Sequence, residues 1–389
     1  MAKMKQTYDF LVLGADGMQG TIVSRDLLQA GYSVYMADLY DVRVKALVAK
    51  FPKLATFTYV DLRDIEETIH LIQHAGADVV INCAEGDWNV NVYEACLQTG
   101  THVIDLGSRT DMTRKQIKLH GAFKRARITA ITGCGSVPGI GSVMLAHASE
   151  KFDSIESIDC GFAWDSNVKK FVVPFSMESI LEEFTLPAPF IENNRWRKKD
   201  PDLSSVVRYF REIGSQRIFL ADHPEVYTFY YYFKPWGVKH VRFWAGFPEH
   251  SVSVIKTLID LGFSDHRPTH IDGVDVTGPH YLGQSLKRLK HPRGYIEKEN
   301  LWVEVVGKRN RKKQTILMEC IVPPIKGWDE AGCNVDTGFP ASIIAQMIKY
   351  GDITKRGSFA PEAVVPIKPF FKALKKKKLF VYENGTVIN

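Results

Sequence analysis

The sequence predicts an α/β protein of two domains, a doubly wound parallel sheet followed by an α+β domain with a mixed or antiparallel sheet. Three observations predict it. Short apolar runs alternate with segments of helical periodicity over residues 8–133, the texture turns β-rich from about 152, and 389 residues with 45% hydrophobic content exceed what one core organises. Taken in order, residues 8–15 (YDFLVLGA) read as a strand reaching Gly14, and Ile22, Val23, Leu27 and Leu28 follow at helical spacing. Gly31 closes that helix, 32–37 (YSVYMA) is a second buried strand, and Asp38 stands at its end.

The alternation continues with strands at 57–60, 78–84, 101–106 and 128–133, separated by helices at 65–74, 90–99 and 114–126. Such alternation means a parallel sheet covered on both faces. Pro138 and Gly139 punctuate the chain before a helix at 140–151, which is expected to cross into the second domain. There IDCGFAW, VYTFYYYF, HVRFWAGF, LWVEVVG and TILMECIV read as strands, with helices near 177–184 and 251–261. A helix at 340–350 and the tail from PEAVVP to LFVYE are expected to return to the first domain, so the predicted division is 1–139, 140–334 and 335–389.

Aromatic content (22 Phe, 15 Tyr, 7 Trp) places nearly the whole length in folded structure, with disorder confined to the extreme ends. A net charge of +6, from 50 basic against 44 acidic residues, does not argue for nucleic acid, and the lysines at 375–378 read as a solvated helix end. The six cysteines form no CxxC pair, residues 1–9 carry no apolar leader core and no run approaches a membrane span, which together predict a cytoplasmic protein with no membrane partner. No metal-ligand spacing such as HExxH occurs, so no metal is expected, and the missing Walker motif argues against a nucleotide triphosphatase.

Gly14, Gly17 and Gly20 form G-x-x-G-x-x-G between the first strand and helix, a variant of the dinucleotide fingerprint of a Rossmann domain. Gly14 permits the turn, Gly17 the approach of backbone to pyrophosphate, and Gly20 close helix packing, with phosphate at the helix N-terminus. Asp38 suits both ribose hydroxyls and repels a 2′-phosphate, so NAD is expected ahead of NADP, with Arg43 positioned to soften that preference. Asp16, Met18, Cys83, Ala84, Gly135 and Pro138 complete the expected cofactor-binding set.

With the fingerprint in place, the chain resembles the saccharopine dehydrogenase family over essentially its whole length. The resemblance rests on INCAEGDWNVNVYEAC (81–96), THVIDLG (101–107), GCGSVPGIGSVMLAH (133–147), VPFSMESILEEFTLPAP (173–189), DHPEV (222–226) and DTGFPASIIAQMI (336–348). Within the family it is most similar to the single-chain members of the lysine 6-dehydrogenase and carboxynorspermidine dehydrogenase type, although Gly107-Ser108-Arg109 stands where that branch has a Gly-Gly-Asn-like turn. The resemblance implies a Rossmann domain, a second domain supplying substrate contacts and a homodimer interface, and redox chemistry at a C–N bond. The leading expectation is oxidation of lysine or a related diamino acid. The alternatives are a condensing, imine-reducing dehydrogenase of saccharopine or carboxynorspermidine type, and a catalytically silent dinucleotide sensor.

Hydride transfer from an amine requires a neutral nitrogen and hence a proton acceptor near neutral pH. Asp105, at the carboxyl end of a parallel strand, is the first candidate, and His223 and Glu183 are the others, with Glu182, Glu225 and His240 close to family-like segments. The 133–139 loop offers backbone amides to the nicotinamide or a substrate carboxylate, or serves as an interdomain hinge. Cys134 lacks a base to make it a nucleophile. An amino-acid substrate also calls for a cation, for which Arg109, Arg195 and Arg242 are candidates; a polyamine substrate is the other small-molecule partner considered.

Overall fold

The computed structural model describes residues 7–286, 289 and 292–389. Most of the 1–9 segment judged for an apolar leader, and part of the terminus expected to be disordered, therefore lies outside the described residues. The first half of the chain builds β1 (Phe10–Leu13), α1 (Met18–Gln29), β2 (Val34–Asp38), α2 (Val44–Lys50), β3 (Ala55–Tyr59), α3 (Ile65–Ala75), β4 (Val79–Asn82), α4 (Asn89–Thr99), β5 (His102–Asp105), α5 (Thr110–Lys118), α6 (His120–Arg125), β6 (Thr129–Ile131) and α7 (Ile140–Ser149). α3 shows why these helices begin and stop where they do. Asp64 caps its N-terminus by accepting from the amides of Glu66 and Glu67, and Gly76, in the left-handed conformation, ends it.

The second half contributes β7 (Ser154–Ser166), α8 (Met177–Thr185), β8 (Ala188–Glu192), β9 (Arg195–Lys199), β10 (Val206–Phe210), β11 (Gly214–Leu220), α9 (Glu225–Phe233), β12 (His240–Gly246), α10 (Glu249–Asp260), the hairpin β13 (Thr269–Ile271) and β14 (Val274–Val276), α11 (Gly278–Leu286), β15 (Glu297–Arg309) and β16 (Lys312–Val322). The chain ends with α12 (Val335–Lys349), β17 (Gly357–Phe359), α13 (Pro361–Val364), α14 (Ile367–Lys376), β18 (Phe380–Glu383) and β19 (Thr386–Val387).

Seven strands form a wholly parallel sheet in the order β17-β6-β5-β4-β1-β2-β3. The order reverses between β1 and β4, and ligands bind doubly wound sheets at the carboxyl end of that switch point. The second sheet, β10-β11-β12-β7-β15-β16-β18-β19 with β8 and β9 branching from β12, is mixed: β12 runs parallel to β7 and the long β7–β15–β16 pairings are antiparallel. The tail divides its allegiance. α12 packs against α1, β17 extends the parallel sheet beside β6, and β18 pairs with β16 in the second sheet. One hydrophobic cluster accordingly runs unbroken from Phe10 through Ile140, Leu301 and Val335 to Val381.

One expected strand is corrected. Within VYTFYYYF, residues 226–233 lie in helix α9, where Val226, Phe229 and Phe233 fall on one buried face and Tyr231 faces solvent. Aromatic side chains on every face hide helical periodicity in the sequence, but Pro224 followed by Glu225 is a start signal. HVRFWAGF does hold a strand, β12. Among the described residues no helix is long and apolar enough to cross a membrane.

Candidate active site

The three fingerprint glycines differ in what they leave room for. Gly14 has φ +68°, and a Cβ there would sit 2.5 Å from the backbone nitrogen of Ala84; at Gly20 a Cβ would sit 2.1 Å from the Gly14 carbonyl oxygen. Both are demanded by the fold. At Gly17, the N-cap of α1, a Cβ would meet only the Gly14 oxygen, at 3.2 Å, so the far side of this residue is open, as backbone approached by a phosphate must be. Met18 opens α1 and packs on the core, while Cys83 donates its amide to Leu13 and continues β4 past Gly14, bringing Ala84 over the turn.

Asp38 ends β2 with one oxygen on this turn and the other on its own exit from the strand: Oδ2 accepts from the Asp16 amide at 2.8 Å and Oδ1 from the Tyr40 amide at 3.2 Å. Asp16 in turn accepts from the amides of Arg43 and Val44, and the Arg43 guanidinium reaches the Asp16 carbonyl at 3.4 Å. The end of β2 thus carries a carboxylate with one arginine at its rim. The open amide turn, the tight glycine packing and this acidic strand end fit a dinucleotide.

At the far end, the rings of Pro138 and the backbones of Gly107 and Gly133 pack so closely that a Cβ on either glycine would approach the proline at 2.8 or 2.7 Å. Gly135 closes a bridge with Gly139 and lies against Thr337, whose hydroxyl donates to Ser136 at 3.1 Å. This junction is held from beneath by Asp105. The residue is 1% exposed, and its two oxygens accept five hydrogen bonds: Gly107 amide 2.7 Å, Thr132 hydroxyl 3.1 Å and Gly133 amide 3.2 Å on one, Tyr93 hydroxyl 2.6 Å and Gln116 amide 2.6 Å on the other. Burial pushes its carboxyl up and these donors pull it back. Cys134 is buried, and burial with Asp105 nearby raises its thiol well above the usual range, which disqualifies it as a thiolate.

Across the cleft, the second domain presents His223 and Glu183. His223 stacks face to face on Phe243 at 3.7 Å and bonds through Nδ1 to Glu225, which is wholly buried, at 2.8 Å. Burial favours its neutral form but the Glu225 charge outweighs it, raising the imidazole. Glu183, on α8, is 8% exposed with Oε2 unpartnered; burial lifts its carboxyl to about 8 despite the opposing charge of His223.

The candidate cations separate. Arg109 lies at the mouth and crosses between the domains, donating to Glu182 of α8 at 3.0 Å and to Asp87 at 2.9 Å. Arg242 is committed to Asp159 through two bonds of 2.7 and 3.0 Å, and Arg195 sits on the exposed β8–β9 hairpin. His240 opens β12 opposite Ser157, apart from the His223 and Glu183 pair.

Three acids escaped attention in the sequence: Glu297, Glu299 and Asp336. Glu297 is used structurally, accepting from Trp164, Tyr295 and the Cys333 amide. Asp336, in the first turn of α12, and Glu299, on β15, share a carboxyl–carboxylate hydrogen bond; burial pushes both above the usual range, aided at Glu299 by the charges of Asp336 and Glu297 and at Asp336 by that of Glu297, while the bond from Glu299 pulls Asp336 back. The one available signal was an acid at inward register in an apolar strand, since Glu299 shares a face with Leu301 and Val303.

Residues 10–131 match the saccharopine dehydrogenase NADP binding domain, and residues 135–379 match the saccharopine dehydrogenase C-terminal domain. Carboxynorspermidine synthase of Vibrio alginolyticus is 25% identical over 338 residues, covering 81% of this chain and 79% of that protein. Carboxyaminopropylagmatine dehydrogenase of Synechocystis is 25% identical over 404 residues, covering 94% of each. Glutamate-forming saccharopine dehydrogenase of Saccharomyces cerevisiae shares the fold with a TM-score of 0.74 at 14% identity, covering 98% of this chain and 100% of that one.

Proposed function

Because this chain belongs to the saccharopine dehydrogenase family and is a nicotinamide-dinucleotide oxidoreductase acting on a C–N bond, we propose that it joins an amine to an aldehyde and reduces the resulting imine. One observation carries this reading. Glu183 is buried with Oε2 unpartnered, within electrostatic reach of His223, which is itself held by the buried Glu225. A buried acid that can give up its proton beside an incoming ammonium favours a cationic amine over a further carboxylate. The names of the two bacterial relatives point the same way, toward condensation rather than lysine oxidation.

In this assignment the turn that Gly14 and Gly20 allow presents Gly17 to the pyrophosphate, Asp38 takes the adenosine ribose, and Gly107, Gly135 and Pro138 flank the nicotinamide. The bound dinucleotide supplies the hydride. His223, its imidazole raised by Glu225, is assigned as the donor to the nitrogen, which makes the imine carbon the better hydride acceptor and leaves the imidazole neutral. Asp105 is assigned the part of a positioning residue, because five donors already occupy its acceptor sites. Arg109, part exposed and paired with Glu182 and Asp87 at the mouth, is assigned the carboxylate of an acidic aldehyde, for which it would exchange one of these partners.

Asp38 supports NAD over NADP, since a 2′-phosphate would face its carboxylate. Consumption of NADH and NADPH, followed by absorbance with pairs of short amines and amino-acid semialdehydes, tests both points. Turnover is expected with amine and aldehyde together and with neither alone; oxidation of lysine without any condensing activity would refute the proposal.

A further inference from the structure

The β8–β9 hairpin of the second domain gathers positive charge that no neighbouring acid answers. β9 reads RWRKK, and all five of its residues are exposed. Across the hairpin they face Ala188, Pro189, Phe190, Ile191 and Glu192, so only Arg195 has an acid in register. Lys234 and Lys239 stand beside the hairpin because its turn docks there: the Asn194 amide donates to the Lys239 carbonyl at 3.0 Å, and the Tyr230 hydroxyl donates to the Asn194 carbonyl at 3.3 Å, one turn of helix before Lys234. Among the described residues none of these six cations is in an ion pair, and the nearby acids Asp202 and Glu156 pair with Lys256 and Lys313 instead. The local excess is close to the net +6 of the whole chain.

Two features distinguish β9 from a solvated charge run. Its outer edge is free, since β9 pairs with β8 alone, and every second residue therefore turns an amide and a carbonyl away from the sheet. Its two rows of side chains also differ. Arg195, Arg197 and Lys199 lie on one side, while Trp196 and Lys198 lie on the other, where the Trp196 ring meets Tyr230 edge-on at 6.4 Å and the Arg114 guanidinium at 4.2 Å. Arg114 comes from α5 of the first domain and is clamped between Trp196 and Tyr227. The hairpin is thus pinned at its turn and along its body, and its edge is held extended before any partner arrives.

We infer that the free edge of β9 is a docking site for an extended, acidic polypeptide segment, which joins the edge as an added strand and sets a carboxylate at every second position against Arg195, Arg197 and Lys199. The chemistry of the edge selects this occupant. A strand edge offers alternating donors and acceptors, which a peptide backbone matches and a phosphodiester, carrying acceptors alone, does not. A flat anionic lipid surface meets one row only, and Trp196, the aromatic that would enter it, is turned to the other row and held by Arg114. A second copy of β9 brings like charges together. The inference is independent of the reaction proposed above.

The test is binding of the cofactor-loaded protein to an end-capped peptide of about seven residues alternating Glu and Val, measured by calorimetry beside the same peptide with its amides N-methylated, phosphatidylserine vesicles and a deoxythymidine oligonucleotide. Saturable binding of the peptide is expected, weakened at least about tenfold by N-methylation, which removes the backbone donors and none of the charge. The double substitution Arg197→Glu with Lys199→Glu, at exposed positions, is expected to weaken it about tenfold or more while cofactor affinity holds. Absence of saturable binding overturns the inference, and so does equal binding of the N-methylated peptide, tighter binding of the vesicles or the oligonucleotide, or undiminished binding by the double variant. The N-methylation comparison uses wild-type protein and stands even if the variant fails to fold.

Discussion

Glu183 carries its proton to about pH 8 in the folded chain, against an ordinary carboxyl value of 4.5, because burial penalises its charge. The unfolded chain gives up that proton first, so between about pH 4.5 and 8 the folded state holds more protons and loses stability as pH rises. Glu183→Gln is therefore expected to raise Tm relative to wild type by a few °C at pH 8 and by much less at pH 5, read by calorimetry across that range. His223 follows the same sign, over a higher interval. Its charge, held by Glu225, stabilises the fold fully below the ordinary histidine range and fades as pH passes through its raised value. Reductive turnover should fall over the same interval, and His223→Asn should remove that limb and lower kcat about 10²- to 10⁴-fold; an unchanged pH profile would remove His223 from proton transfer. Asp105→Asn should unfold the 105–107 and 132–133 junction, costing about 3 kcal/mol or more in denaturant melts, because it leaves buried donors without a carboxylate. Full stability with abolished turnover would instead restore it as the proton acceptor.

The elements separate into those whose termini announce them and those whose packing decides them. The β1–α1–β2 unit was legible because Gly14, Gly17, Gly20 and Asp38 each occupy a position where only one backbone conformation or one strand end serves. Gly20→Ala is the sharp test at this scale: the new methyl would lie 2.1 Å from the Gly14 oxygen and 2.7 Å from the Ala15 Cα, both backbone, so a loss of about 1–3 kcal/mol and of dinucleotide affinity is expected from melts and cofactor titration. α9 was illegible because a run of Tyr and Phe favours strand by local preference, and a helix won only through the burial of Val226, Phe229 and Phe233 against the face that also holds Phe243. α12 was read as beginning at 340, yet it starts at Val335 with Pro340 inside it, which is what carries Asp336 to its bond with Glu299.

At the scale of the molecule, two sheets share one continuous core, and the tail ties them together by placing β17 in the first and β18 in the second. The mouth of the cleft is bridged by Arg109, whose ion pairs with Asp87 and Glu182 are part exposed. Arg109→Gln should cost no more than about 1 kcal/mol of stability, while amide exchange in 107–111 and 177–185 quickens; unchanged exchange would mean the bridge does not hold the domains. A homodimer is expected from the exposed edge strand β10, with Val207 66% and Tyr209 74% exposed, and light scattering should give about twice 44.0 kDa.

By itself the sequence determined the dinucleotide half and the class of chemistry, because the glycine turn, the acidic strand end and the strand–helix alternation are local patterns spaced by backbone geometry. Only the tertiary structure decided that Asp105 is saturated with donors, that Arg242 is spent on Asp159, and that Glu299 and Asp336 share a hydrogen bond. Those facts depend on distances between residues far apart in the chain, and side-chain partnership across a cleft leaves no periodicity to read.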